Sequence, residues 1–123
     1  MKGRYVWLMI VLLVSVVSLL TAGQFGEGLK GGIWQATIKD GGYEHVEFLD
    51  GDTLQLATYA HNGQRQHFFV GEYEVLNADI LKLTINTGLT VETFLYNFSL
   101  SGDQLILSDR QDGKATTYNR LKR

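Results

Sequence analysis

Hydrophobic and polar residues alternate along most of the chain after residue 32, and turn signals interrupt this alternation at intervals of about ten to fifteen residues. The turn signals are Gly41-Gly42, Asp50-Gly51, Asn62-Gly63, Asn77-Ala78, Thr87-Gly88, Ser101-Gly102 and Asp112-Gly113. Dipeptides such as Asn-Gly and Asp-Gly supply the positive φ angles that tight hairpin turns require. The pattern therefore predicts an all-β fold, an eight-stranded antiparallel up-and-down meander that is long enough to close into a barrel.

The segments between the turns are rich in β-branched and aromatic residues, which favour strands. The predicted strands are Ile33–Lys39, Tyr43–Leu49, Thr53–Ala60, Gln66–Leu76, Ile80–Asn86, Val91–Leu100, Gln104–Asp109 and Ala115–Leu121. In most of them apolar residues recur at every second position, which is typical of a sheet with one buried face. The most apolar face is that of Phe94, Tyr96, Phe98 and Leu100.

The fourth predicted strand departs from this alternation, because Phe68, Phe69 and Val70 are consecutive and precede Gly71. A β-bulge near Gly71 would change which face of the strand points inward and would help to bend the sheet. The alternative is that the strand leaves an aromatic patch exposed for a partner.

The first 23 residues have the organisation of a targeting segment. Lys2 and Arg4 precede an apolar run at residues 5–22, and no further charged residue occurs before Glu27. We expect a signal peptide over residues 1–23, or an uncleaved anchor that contacts the membrane through residues 5–22. Both readings place the domain outside the cytoplasm, in the periplasm or secreted. A glycine-rich linker at 24–32 then precedes a barrel domain at 33–123.

Composition excludes several classes of function. The chain has no cysteine, which removes disulfides, thiolate metal sites and a cysteine nucleophile. Its net charge is -2, whereas a domain that binds nucleic acid usually carries an excess of basic residues. No phosphate-binding loop or nucleophile motif is present, so we expect no cofactor and no enzyme.

Two short motifs at the ends of the predicted barrel carry a family resemblance. Gly32-Ile33-Trp34 opens the first strand, and Tyr118-Asn119-Arg120 ends the last one. The pair resembles the lipocalin-like (calycin) β-barrels, and most of all the small bacterial domains of that type. The resemblance implies that Gly32, Trp34 and Arg120 close one end of the barrel, with the arginine packed across the tryptophan.

The resemblance also implies a function, a non-catalytic extracytoplasmic binding module for a small apolar ligand. The expected ligand-binding residues are inward-facing ones: Leu54, Leu56, Phe94, Tyr96 and Phe98. The alternative is an envelope protein-interaction module, an inhibitor or accessory subunit, with a core filled by its aromatic rings. Tyr59, Phe68 and Phe69 would then be candidates for the contact with an envelope protein partner.

The three histidines suggest weaker alternatives. His61 and His67 flank a turn, and a hairpin centred on Gln64 would place them opposite each other. A zinc site needs three or four ligands, and no third ligand accompanies this pair, so we expect no metal site. His45 shares a face with Glu47, which would be the minimum for acid–base chemistry in an extracytoplasmic enzyme.

Overall fold

A computed structural model describes residues 27–121 of the chain. These residues form eight strands and a short 3-10 turn at Lys39–Gly41. The strands are β1 (Trp34–Thr37), β2 (Tyr43–Phe48), β3 (Thr53–Tyr59), β4 (Arg65–Asn77), β5 (Ile80–Asn86), β6 (Val91–Ser101), β7 (Gln104–Asp109) and β8 (Ala115–Arg120). The predicted signal peptide or anchor lies outside the described residues.

The sheet is a closed antiparallel barrel. Each strand pairs with the next one along the chain, and β1 also pairs with β8. This confirms the prediction of an all-β, eight-stranded up-and-down barrel. Within residues 27–121, no helix has the length and the apolar character needed to cross a membrane.

The hairpin connections alternate between the two ends of the barrel. The turns after β2, β4 and β6 lie at one end, which we call the closed end because the segment before β1 packs there. Leu29 in that segment is fully buried, and Lys30 forms a parallel bridge with Phe48 at the end of β2. The loops after β1, β3, β5 and β7 surround the other end, the open end.

The half of the barrel next to the closed end is filled by side chains. In an up-and-down barrel, the starts of the odd-numbered strands and the ends of the even-numbered strands lie at the same end, and they supply the inward residues of this half. The largest fully buried side chains are Trp34, Phe48, Leu29, Leu54, Leu81, Leu105 and Val46. Removing each such side chain from water contributes about 1.5–3 kcal/mol, so this half supplies much of the stability of the fold.

Gly71 does not form the predicted bulge, and that prediction is wrong. The register runs without a break through Leu54↔Gly71 on one side and Gly71↔Ile85 on the other. The glycine is needed for a different reason, since a Cβ atom there would collide with the carbonyl oxygen of Thr84. Gly71 therefore allows β4 and β5 to approach closely.

Ordinary alternation also explains the apolar run before Gly71. Phe69 is half-buried and lies opposite Leu56, on the inner face. Phe68 is 44% exposed and lies opposite Ala57, on the outer face. The run Phe68-Phe69-Val70 thus places one ring inside the barrel and leaves two apolar side chains outside, because Val70 is 47% exposed.

Candidate functional site

The closed end is organised by the side chain of Arg120. Its guanidinium carbon lies 4.4 Å from the ring centroid of Trp34, a cation–π contact worth about 0.5–2 kcal/mol. Nη1 donates to the carbonyl oxygens of Lys30 and Gly31, each at 3.0 Å, and Nη2 donates to Gly28 at 2.8 Å. One arginine therefore connects the last strand to the first strand and to the segment before it.

Neighbouring residues fit around this arginine. Trp34 Nε1 donates to the carbonyl oxygen of Leu29 at 2.8 Å, so the buried indole has its hydrogen-bond partner. A Cβ atom on Gly32 would lie 3.0 Å from Cγ of Arg120, and Gly32 has a φ of +147°. The residues of the Gly-x-Trp motif and Arg120 are thus in mutual contact. Arg120 Nε also lies 3.3 Å from the carboxylate of Asp103.

The five residues expected to bind a ligand lie at two different levels of the barrel. Leu54 and Phe98 are buried, with 0% and 5% exposure, and they belong to the filled core. Leu56, Phe94 and Tyr96 are only partly buried and pack against that core from the open end. Of these three, Phe94 and Tyr96 are in ring contact with each other, and Leu56 lies opposite Phe69.

Side chains of Phe69, Phe94 and Tyr96 give the open half an aromatic wall. The rings of Phe94 and Tyr96 are stacked with centroids 6.3 Å apart. Phe69 stacks on His67 at 6.1 Å, on the same inner face. Rings that are accessible at the mouth of a small barrel are suited to contact the apolar part of a ligand.

Glu44 is an inward-facing carboxyl group that is not among the five residues expected to bind a ligand. It pairs in register with Ala36 on β1 and with Thr58 on β3, and Ala36 is buried. Its side chain shares a hydrogen bond with Tyr118, which is 5% exposed. Burial raises the pKa of Glu44, and the hydrogen bond with Tyr118 opposes that shift.

Two tyrosines surround this carboxyl group and are electrostatically coupled to it. Burial raises the pKa of Tyr118, and the negative charge of Glu44 raises it further. The pKa of Tyr96 is also raised, by burial first and then by the charges of Asp109 and Glu44. Both phenols therefore stay protonated at neutral pH and remain hydrogen-bond donors.

The alternation of apolar and polar residues in β2 was the signal that could have shown that Glu44 points inward. Val46 and Phe48 are the apolar inward residues of that strand, with 1% exposure each. Glu44 is two positions before Val46 and so points to the same side of the sheet. Its neighbours Tyr43 and His45 are also polar, so the alternation is hard to recognise at this end of the strand.

His45 is on the outer face of β2, in register with Gln35 of β1. Its Nε2 atom lies 2.8 Å from Oε1 of Gln35. Its ring packs against both Tyr43 and Tyr59, with centroid distances of 5.1 and 4.8 Å. Burial lowers the pKa of His45, so the ring is neutral at physiological pH. The structure thus gives this imidazole a packing role in an outer aromatic cluster.

The predicted opposition of His61 and His67 is wrong. His67 pairs with Thr58 on β3, not with His61. The hydroxyl of Thr58 lies 3.0 Å from Nδ1 of His67. His61 lies in the turn between β3 and β4. The register of these two strands shifts by one residue between Thr58 and Tyr59. In the described part of the chain, no group of three or more potential metal-ligating side chains comes together.

Comparisons of the chain with family models, with curated proteins and with solved structures found no match. The lipocalin-like resemblance therefore depends on the two end motifs and on the closed antiparallel barrel in which they meet.

Replacing the tryptophan at the closed end tests its contribution to stability. We expect Trp34→Ala to lower the free energy of unfolding by about 3–5 kcal/mol, because it leaves a cavity and removes the surface on which Arg120 packs. Urea denaturation followed by circular dichroism measures the change. Leu95→Ala is the matched control, since Leu95 is 43% exposed and should change stability little. An unchanged midpoint for Trp34→Ala would contradict this role.

The raised pKa of Glu44 predicts a specific pH dependence of stability. Because the pKa in the folded state lies above the usual value of 4.5, the wild type loses stability as the pH rises from about 4.5 through the folded pKa. Glu44→Gln keeps an acceptor for Tyr118 but does not ionise. We expect its melting temperature to exceed that of the wild type at pH 8 and the difference to shrink towards pH 4.

The exposed Glu74 of β4 provides the control for this measurement, because Glu74→Gln removes the same charge from the outer surface. Thermal melts of the three proteins between pH 4 and pH 8 decide the question. If the wild type and Glu44→Gln show parallel pH profiles, the carboxyl group of Glu44 does not carry the burial cost described here.

Proposed function

We propose that this protein is a non-catalytic binding module of lipocalin-like type, which holds a small and largely apolar ligand in the open half of its barrel. The observation that carries the proposal is the contrast between the two halves. The closed half is filled by fully buried side chains. The open half also contains the buried side chains of Ala36, Ile85 and Leu107, but its aromatic rings at Phe69, Phe94 and Tyr96 are only partly buried.

The chemistry of the lining supports this function. Leu56, Phe69, Phe94 and Tyr96 provide apolar surface next to the core, and Glu44 and Tyr118 add one polar pair. Sites for small ligands combine mostly apolar walls with a few placed polar groups in this way. A ligand that covers these rings would remove apolar area from water, which is the main favourable term in such binding.

The proposed setting is extracytoplasmic. Support for it comes from the sequence, where two positive charges precede the apolar run at residues 5–22. In that setting the barrel would collect or present its ligand in the periplasm or in the medium.

Native mass spectrometry of the full chain, purified gently from its source, tests the proposal directly. We expect an additional discrete mass that disappears on denaturation. Tyr96→Ala should lose most of this mass because it removes part of the aromatic wall. Leu95→Ala, on the outer face of the same strand, should retain it. A bare polypeptide mass for the wild type would overturn the binding function.

A second candidate, an envelope protein-interaction module, is favoured by one feature of the outer surface. Tyr43 and Tyr59 stack at 4.9 Å, and Phe68 is exposed nearby with the guanidinium of Arg65 4.9 Å from its ring centroid. Aromatic residues and arginine are the types that contribute most to protein interfaces. Phe69 does not belong to this surface, because it points into the barrel.

Phe68→Ser separates this second candidate from a purely structural role of the ring. We expect the melting temperature to change little, since Phe68 is 44% exposed. An interaction module would lose capture of its envelope partner in a pull-down with Phe68→Ser, whereas the Val70→Ala control would keep it. A large loss of stability in Phe68→Ser would instead show that the ring belongs to the packed structure.

A further inference from the structure

The open half of the barrel contains a carboxyl group that has no cationic partner. Glu44 faces inward between Ala36 and Thr58, and its hydrogen-bonding partner is the phenol of Tyr118. Within residues 27–121, none of the salt bridges involves Glu44. Glu44 is partly buried, and a carboxylate that is partly removed from water gains from a cationic partner.

Within residues 27–121, the strands of this half supply no cation to Glu44. Arg120 lies at the other end of the barrel, where carbonyl oxygens and Asp103 engage it. The inward positions of the open half, as the register defines them, contain no lysine or arginine. These positions are Ala36, Glu44, Leu56, Thr58, His67, Phe69, Ile85, Glu92, Phe94, Tyr96, Leu107, Asp109 and Thr116.

The surroundings of Glu44 select among the possible ligands. Tyr96 and Tyr118 are close enough to interact electrostatically with the carboxylate, and Phe94 stacks on Tyr96. An anionic ligand would be repelled by Glu44 and Asp109. A divalent metal ion would need more oxygen or nitrogen ligands than this position offers. A neutral ligand would leave the carboxylate without a counter-charge.

An organic ammonium group satisfies each of these conditions. Its N–H donors can form a charge-assisted hydrogen bond with a carboxylate. Aromatic faces attract such a cation electrostatically, and they also pack against the apolar group that carries it. The combination of one carboxyl group with tyrosine and phenylalanine rings is therefore complementary to a protonated amine on an apolar body.

We infer that the ligand of the open half is a small organic ammonium ion, with its charged nitrogen at Glu44 and its apolar body against Phe94 and Tyr96. This inference rests on the proposed binding function and specifies the class of ligand.

Three probes with the same aromatic body test the inference: 2-phenylethylamine, 2-phenylethanol and 3-phenylpropanoate. Isothermal titration calorimetry with the full chain at pH 7.5 compares an ammonium, a neutral hydroxyl and a carboxylate. We expect the amine to bind at least about tenfold more tightly than the alcohol, as hydrogen bonds to charged groups commonly provide. The carboxylate should bind more weakly than either.

Two matched variants locate the preference. Glu44→Gln should reduce the affinity for the amine to about that for the alcohol. Glu74→Gln, which removes a charge from the outer face of β4, should retain the wild-type preference. Circular dichroism of each variant verifies that the barrel is folded, and the three-probe comparison on the wild type stands without either variant.

The outcomes separate the two proposals. Equal affinities for amine and alcohol, or a preference that survives in Glu44→Gln, would overturn the ammonium inference and leave the binding function in place. Binding of 3-phenylpropanoate in preference to the amine would have the same consequence. Failure of all three probes, together with a bare polypeptide mass of the purified chain, would overturn both.

Discussion

Closure of the barrel depends on one weakly paired seam, the contact between β1 and β8. Only two residue pairs, Trp34↔Arg120 and Gln35↔Asn119, define its register, whereas β2 and β3 share six pairs. The side chain of Arg120 reinforces this seam, because it covers Trp34 and binds three carbonyl oxygens of residues 28–31. An open sheet would expose two strand edges, which invite association with other chains.

The residues that close the barrel are separated from the residues that line its mouth. Stability is concentrated near Trp34, Phe48 and Leu54, where side chains fill the interior. The opposite half tolerates an inward carboxyl group at Glu44 and half-buried rings at Phe94 and Tyr96. Such departures from an apolar interior are typical of functional sites, which agrees with the proposed binding. Substitutions of the rings at the mouth should therefore affect the proposed binding more than they affect closure of the barrel.

Much of this fold could be predicted from the sequence, because turn chemistry and alternation are local signals. The bounds of Ile80–Asn86 and Gln104–Asp109 agree with the prediction, and the closed antiparallel order follows from the short hairpins. The role of Gly71 could not be predicted. A glycine in a strand indicates either a bulge or a close approach, and only the position of Thr84 on the neighbouring strand distinguishes them.

The candidate site was harder to predict than the fold for a related reason. Alternation assigns a residue to the inner face, but its level along the barrel axis depends on strand tilt and on the register of all the strands. Leu54 and Leu56 are equivalent by alternation, yet one lies in the core and the other faces the open half. Glu44 was missed because its neighbours in sequence are polar, although its spacing of two residues from Val46 places it on the inner face.

The position of Arg120 also constrains the order of events during synthesis. Chain segments emerge from the ribosome from the N-terminus onwards, so hairpins such as β2–β3 can form while later strands are still absent. The β1–β8 seam joins segments that are far apart in the chain. Its formation therefore has the largest entropic cost of loop closure among the strand pairs. Trp34 and the apolar interior therefore stay accessible until Arg120 has been synthesised. During this period the unfinished barrel is most prone to aggregate with other chains.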